Sequence, residues 1–151
     1  MEETLSSIFM RSNGKPIKLN GQTVVTIMEL EITKPRTTFL IRRLGATSSR
    51  GQGLVLKAAS GQIVVDNSGD GYPEIVLWSD TSPDVVEIEV FLKLGNTLKI
   101  WNVWKSAHGM SAWVGNAGIH IRRSDGKITL ECSDGVGDVD FTDYVVALEE
   151  R

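Results

Sequence analysis

The stretch LKIWNVWKSAHGMSAWVGN, residues 98–116, holds three of the four tryptophans of this 151-residue chain. If its first half is a β-strand, successive side chains point to opposite faces of a sheet. One face then carries Leu98, Ile100, Asn102 and Trp104, and the other carries Lys99, Trp101, Val103 and Lys105. Trp101 would lie among lysines, where an indole is either covered by a loop or presented to a ligand.

The rest of the chain predicts an all-β fold. Fifteen glycines separate short segments rich in Val, Ile and Thr, which is typical of β-sandwiches. Asn20-Gly21 and Asp125-Gly126 each separate two such segments and predict two-residue hairpins. We count about ten strands and no convincing helix. The pattern predicts a two-sheet antiparallel β-sandwich, jelly-roll-like, as a single domain over residues 16–151, after a loosely ordered segment over residues 1–15.

Three further assignments follow from local patterns. Residues 22–32 alternate as one strand, and residues 46–53 form a polar, flexible loop. Residues 54–59 and 62–66 flank Ser60-Gly61, which predicts another hairpin. Residues 74–79 are apolar on both faces, which predicts a central strand that is covered on both sides.

Composition excludes several classes of protein. The net charge of −3, with both signs interspersed, argues against a nucleic-acid partner. Cys132 is the single cysteine, so no intramolecular disulfide can form, and the two histidines, His108 and His120, lie in no zinc-ligand pattern. The first residues do not read as a signal peptide, and no stretch approaches the ~18 apolar residues of a membrane span. We therefore expect a cytoplasmic protein without a membrane partner.

Two acidic stretches are candidate calcium sites. In the first, Asp66, Ser68 and Asp70 precede Gly71 and match the first half of a calcium-binding loop. The twelfth position of that loop would need an acid and is Leu77 instead. For this stretch a tight surface turn is the alternative interpretation.

The second acidic stretch lies at the entry to the last strand. It places four carboxylates within ten residues, those of Asp134, Asp138, Asp140 and Asp143. A bound cation would relieve their mutual repulsion, and a solvated turn is again the alternative. Calcium is thus the one cofactor that the sequence suggests.

Recognisable catalytic motifs are absent from the sequence. It contains no nucleophile elbow, no phosphate-binding loop and no dinucleotide fingerprint. His120 is expected opposite Glu131 as a surface cross-strand pair. No catalytic residue is assigned, although two carboxylates brought together by the fold would still permit a glycoside hydrolase.

Several motifs of the C-terminal half form a recognisable series, namely WNVW (residues 101–104), WVGNAG (residues 113–118) and CSDG (residues 132–135). The series resembles that of small uncharacterised bacterial proteins, and this likeness implies no activity. The ending DFTDYVV, residues 140–146, is similar to the final strand of jelly-roll carbohydrate-binding modules. That second resemblance implies a saccharide ligand and a structural calcium ion.

The residues themselves favour a non-catalytic binding module. Its predicted ligand-binding residues are Trp101, His108, Trp113 and Asn116, and a saccharide is the first ligand considered, because aromatic faces stack on sugar rings. The alternative is a structural or protein-interaction subunit that uses the Trp101 face as an interface. A glycoside hydrolase is the third hypothesis, and the oligomeric state stays open.

Overall fold

The computed structural model describes residues 3–66, 68–93 and 96–151 and confirms the two-sheet antiparallel sandwich. Within these ranges one short helix, α1 (Leu5–Arg11), precedes fourteen strands. The strands, in chain order, are β1 (Ile17–Leu19), β2 (Gln22–Val25), β3 (Met28–Glu31), β4 (Arg36–Gly45), β5 (Gln52–Lys57), β6 (Gln62–Val65), β7 (Gly71–Tyr72), β8 (Glu74–Trp78), β9 (Val85–Phe91), β10 (Thr97–Ser106), β11 (Gly109–Ser111), β12 (Gly118–Ser124), β13 (Lys127–Ser133) and β14 (Tyr144–Glu150).

The two sheets differ in width. The larger has nine strands in the order β1-β2-β12-β13-β14-β4-β9-β6-β7, and the smaller runs β11-β10-β5-β8. One edge of β10 pairs with β5, and its other edge pairs with β3 near its start and with β11 near its end. The long strand β10 is therefore the centre of the smaller sheet. The larger sheet has more strands than the smaller one, so parts of it are not covered by the smaller sheet.

The predicted alternation along β10 is confirmed. Asn102 is buried, and its side-chain amide donates a hydrogen bond of 3.0 Å to the carbonyl oxygen of Ser133, in the opposite sheet. The face that carries Asn102 therefore points between the sheets, and Trp104 on the same face is 2% exposed. Trp101 and Val103 consequently lie on the outer face of the smaller sheet.

Both Asn-Gly and Asp-Gly hairpins are confirmed. Asn20 and Gly21 have φ of 51° and 81°, and Asp125 and Gly126 have φ of 43° and 76°. Positive φ at both central positions is what a type I′ turn requires, and it matches the twist of the flanking strands. The second hairpin sets His120 opposite Glu131, as predicted, with Nδ1 and Oε1 2.8 Å apart.

Three predictions placed strands in the wrong sheet or at the wrong position within a sheet. Residues 22–32 form two strands, β2 in the larger sheet and β3 in the smaller. Ser60-Gly61 joins β5 to β6 across the sandwich instead of closing a hairpin. The strand β8 lies at the edge of the smaller sheet, and its outer face is apolar because Val76 and Trp78 pack beside Val55 and Gly53 of β5. Alternation shows which side chains are buried but not which sheet contains the strand.

A helix lies where the sequence predicted none. Thr4 caps α1 by accepting a hydrogen bond from the Ser7 N–H. Leu5 and Phe9, spaced i and i+4, are buried against Val24, which differs from the expectation of a loosely ordered start. A seven-residue helix is too short to be stable alone, so this packing stabilises it. No helix in the described ranges is long and apolar enough to cross a membrane.

Candidate binding surface around Trp113

Trp113 covers Trp101 on the outer face of the smaller sheet. Their ring centroids are 5.2 Å apart, and the ring planes are tilted by 36°. Trp101 is 8% exposed, whereas Trp113 is 45% exposed. The indole that a ligand can reach at this place is therefore Trp113, and the sequence pattern pointed to its buried neighbour.

The backbone of the Trp113 loop is unusual for the residue types that it carries. Trp113 itself has a φ of +59°, a conformation that costs a non-glycine residue roughly 1–3 kcal/mol. Gly115 is also left-handed, and a Cβ on it would stand 2.1 Å from the carbonyl oxygen of Gly135. Close contact with the segment around Gly135 thus holds the loop in the conformation that places Trp113 over Trp101.

Asn116 fixes this loop to two other segments. Its Oδ1 accepts a hydrogen bond of 3.1 Å from the Leu5 N–H, at the start of α1, and its Nδ2 donates one of 2.7 Å to the Gly137 carbonyl. The Ser6 N–H donates a further bond of 2.9 Å to the carbonyl oxygen of Gly115. The amide of Asn116, predicted as a ligand-binding group, is engaged in holding the Trp113 loop against α1.

An apolar hollow opens beside Trp113. Met10, Trp113 and Val114 line it and are 79%, 45% and 56% exposed, and we call these three residues the Trp113 surface. The hollow has a volume of about 500 Å³, and Phe9 and Ile27 supply further apolar walls. Large apolar side chains that are exposed together mark interaction sites more often than single ones do.

His108 lies away from this hollow. It occupies the exposed turn between β10 and β11, where its backbone N–H donates a hydrogen bond of 3.3 Å to the Ser106 hydroxyl. It does not line the hollow beside Trp113. Of the four predicted ligand-binding residues, only Trp113 therefore presents a half-exposed side chain to the hollow.

Asp134 is the centre of a buried polar network that sequence reasoning missed. The carboxylate is fully buried and accepts hydrogen bonds from the Ser48 hydroxyl (2.9 Å), the Arg50 Nε (3.1 Å) and the Gln52 Nε2 (3.1 Å). All three donors come from the stretch predicted as a flexible polar loop. In the sequence, these three polar side chains only precede a predicted strand. That pattern does not indicate that they bond to Asp134, which lies 82–86 residues further along the chain.

A second carboxylate, that of Asp143, joins this network. Its Oδ2 accepts a hydrogen bond of 3.0 Å from the Asp134 N–H. Burial raises the pKa of Asp143, and the nearby charge of Asp134 adds to this effect. Burial would also raise the pKa of Asp134, but hydrogen bonds from the Val136 N–H, Arg50 and Ser48 outweigh it and hold that pKa below its ordinary value. The two acids meet inside the protein, where each accepts hydrogen bonds from neighbouring groups.

Several side chains of the two acidic turns already have hydrogen-bond partners within the protein. Asp66 Oδ1 accepts a hydrogen bond from the Glu87 N–H, and Asp140 Oδ1 accepts two from Thr142. Ser68 donates to the carbonyl oxygen of Asp70, while Asp70 and Asp138 are exposed. Across residues 3–66, 68–93 and 96–151, no three His, Cys, Asp or Glu side chains are grouped to hold a metal ion. Calcium at either turn stays a prediction from the sequence.

Comparison with other proteins adds no family to this description. No protein-family model matches the chain, and neither a curated protein nor a solved structure matches it. Function is therefore argued from the geometry of the chain alone.

Proposed function

We propose that this chain is a non-catalytic interaction subunit, and that its Trp113 surface pairs with the same surface of a second copy. The observation that carries the proposal is the joint exposure of Met10, Trp113 and Val114 around one apolar hollow. Covering these side chains removes apolar area from water, which is the main driving force of association. Tryptophan and methionine are also among the residues enriched in interface cores.

The shape of the surface supports a symmetric pair. In a two-fold interface the same patch meets itself, so it needs both a protruding group and a place to receive one. Met10 protrudes from α1, and the hollow beside Trp113 lies next to it. Each copy can therefore insert Met10 toward the hollow of the other. Among the described residues, the lining of the hollow contains no charged side chain, so pairing of the two hollows brings no like charges together.

A saccharide fits this surface less well. Sugar rings stack on aromatic faces but also need hydrogen-bonding groups for their hydroxyls. The Asn116 amide is bonded to Leu5 and Gly137, and the walls of the hollow are mainly apolar. A glycoside hydrolase is disfavoured because Asp134 and Asp143, the acids that meet, are buried and hydrogen-bonded.

Sedimentation velocity over protein concentrations from about 1 to 100 µM tests the proposal, since this range covers the dissociation of a weak homodimer. The chain should shift from monomer to dimer as its concentration rises. Met10→Glu should weaken the dimer at least about tenfold, because it places two carboxylates in an apolar contact. The Met10 side chain is largely exposed to solvent, so this change should leave the melting temperature nearly unchanged.

Met110→Glu is the matched control. Met110 is also an exposed methionine, on β11, but it does not line the hollow beside Trp113. Its variant should dimerise as the parent does. A parent that stays monomeric throughout, or equal weakening by both variants, would contradict the proposal. A monomer that binds glycans, and loses them on Trp113→Ala, would establish the saccharide hypothesis instead.

A further inference from the structure

The inner face of the larger sheet is not fully covered at the end of β12 and β13. The register pairs Ile119 with Cys132 and Arg123 with Ile128, and directly opposed residues point to the same face. Ile119 and Cys132 are fully buried between the sheets. Arg123 lies four residues after Ile119 and Ile128 four residues before Cys132, an even number in each strand, so both lie on this inner face, at the open end of the sandwich.

A hollow of about 630 Å³ occupies this open end. Phe39, Ile128 and Leu148 of the larger sheet form its apolar floor, and Leu30 of β3 forms the opposite wall. A volume between about 300 and 1,000 Å³ is typical of small-molecule sites. The hollow thus has the size and the apolar floor of a site for a short aliphatic chain.

Arg123 stands at the border of this hollow and of a neighbouring one of about 470 Å³. In the described part of the chain, neither Arg123 nor Lys127, the second cation of the lining, forms a hydrogen bond or an ion pair through its side chain. Of the two acids in the lining, Glu150 pairs with Lys34 at 3.2 Å, and Asp125 lies on the hairpin turn. Lys127 is directly opposite Glu149, on the other face of the sheet from Ile128. The Arg123 guanidinium is therefore the cation beside the apolar floor that is available to an anion.

We propose that this hollow binds a small amphipathic anion, an unbranched aliphatic carboxylate. Its chain would cover Leu30, Ile128 and the floor around Leu148, and its carboxylate would accept hydrogen bonds from the Arg123 guanidinium. A guanidinium offers two parallel N–H donors that match the two oxygens of a carboxylate. The site is separate from the Trp113 surface and does not depend on dimerisation.

Isothermal titration calorimetry with sodium octanoate tests this site, and 1-octanol serves as the uncharged analogue. The parent should bind octanoate more tightly than octanol. Arg123→Gln should weaken octanoate binding about tenfold or more, the loss expected for a hydrogen bond to a charged group, and should leave octanol binding unchanged. Arg123 is exposed, so this variant should fold as the parent does.

Arg122→Gln is the matched control, because the adjacent arginine points to the other face, where Glu131 lies 3.5 Å away. It removes the same charge and should leave octanoate affinity unchanged. Equal weakening by both variants, or no octanoate binding by the parent at millimolar concentration, would overturn the proposal. Loss of octanoate binding on Trp113→Ala would place the ligand at the other hollow and overturn it too.

Discussion

The two faces of β10 are buried by different means. On the inner face, Trp104 lies under the opposite sheet and packs so close to Gly135 that a Cβ there would stand 2.4 Å from the indole. On the outer face no second sheet covers Trp101. Its cover is Trp113, a loop residue that is itself half-exposed.

Trp78 covers the other part of the outer face. Its ring lies across Gly53, where a Cβ would stand 2.7 Å from the indole, and Val103 packs beside it. Lys105 Nζ lies 5.1 Å from the centroid of the Trp78 ring and 2.6 Å from Asp80. A sheet that lacks a partner layer can thus bury its outer face with large side chains from its own edges and loops, and the outermost of these, such as Trp113, stay partly exposed.

The largest effect is expected on the inner face. Trp104→Ala should lower the free energy of unfolding by about 3–5 kcal/mol, because it leaves a large cavity between two sheets that cannot close. The loss of unfolding free energy for Trp101→Ala should be at or below the lower end of this range, since the Trp113 side chain can move into the space that Trp101 leaves. Trp113→Ala should cost the least, about 1 kcal/mol. Urea denaturation of the three variants measures this order.

Two outcomes would break the comparison between the faces. If Trp101→Ala left stability unchanged, Trp101 would be an exposed residue and Trp113 would not be its cover. If Trp113→Ala cost as much as Trp104→Ala, the outer layer would be as much a part of the core as the inner one. The Trp113 surface would then be structural.

Replacing each of the two buried acids, Asp134 and Asp143, should change the stability of the protein in opposite directions. At pH 7, Asp134→Asn should destabilise the protein by about 1.5–3 kcal/mol, since it weakens hydrogen bonds to a charged group. Asp143→Asn should stabilise it slightly, because burial raises the pKa of Asp143 and its ionised form opposes folding. Thermal melts of both variants beside the parent measure the two signs.

The pH dependence of these differences follows from linkage. The lowered pKa of Asp134 gives stability that is present above the unfolded value of about 3.9 and is lost as the pH falls through the lower folded value. Asp143, with its raised pKa, weakens the fold above that unfolded value, and the cost disappears as the pH falls below it. Both differences from the parent should therefore shrink toward low pH. A constant difference from pH 7 down to 3 would assign the effects to packing.

The smallest effect is expected from calcium. Asp143 of the second acidic turn is directed inward, to the Asp134 N–H, while Asp140 bonds to Thr142. Melting temperatures in excess calcium and in EDTA should therefore agree. Calcium at ~100 times its dissociation constant would add about 2.7 kcal/mol to any real site, a shift of several degrees. Such a shift would restore one acidic turn as a metal site.

The candidate site could be predicted only in part. The sequence named Trp113 among its ligand-binding residues but gave Trp101 the exposed role, because the alternation along β10 does not indicate what lies above it. It also named Asn116, whose amide holds the Trp113 loop instead. Arg50 and Asp134 are 84 residues apart, and no local pattern joins them. The hollow at Arg123 was missed for the same reason, since Leu30 faces it from the other sheet.

The sequence by itself determined the all-β class, the two Gly-containing hairpins and the two faces of β10. These features are local, because turn chemistry and the period of two act within a few residues. The tertiary structure alone decided which sheet each strand joins, that Trp113 covers Trp101, and that Arg123 borders an apolar hollow. These outcomes depend on side chains that are distant along the chain and meet only when the sandwich closes.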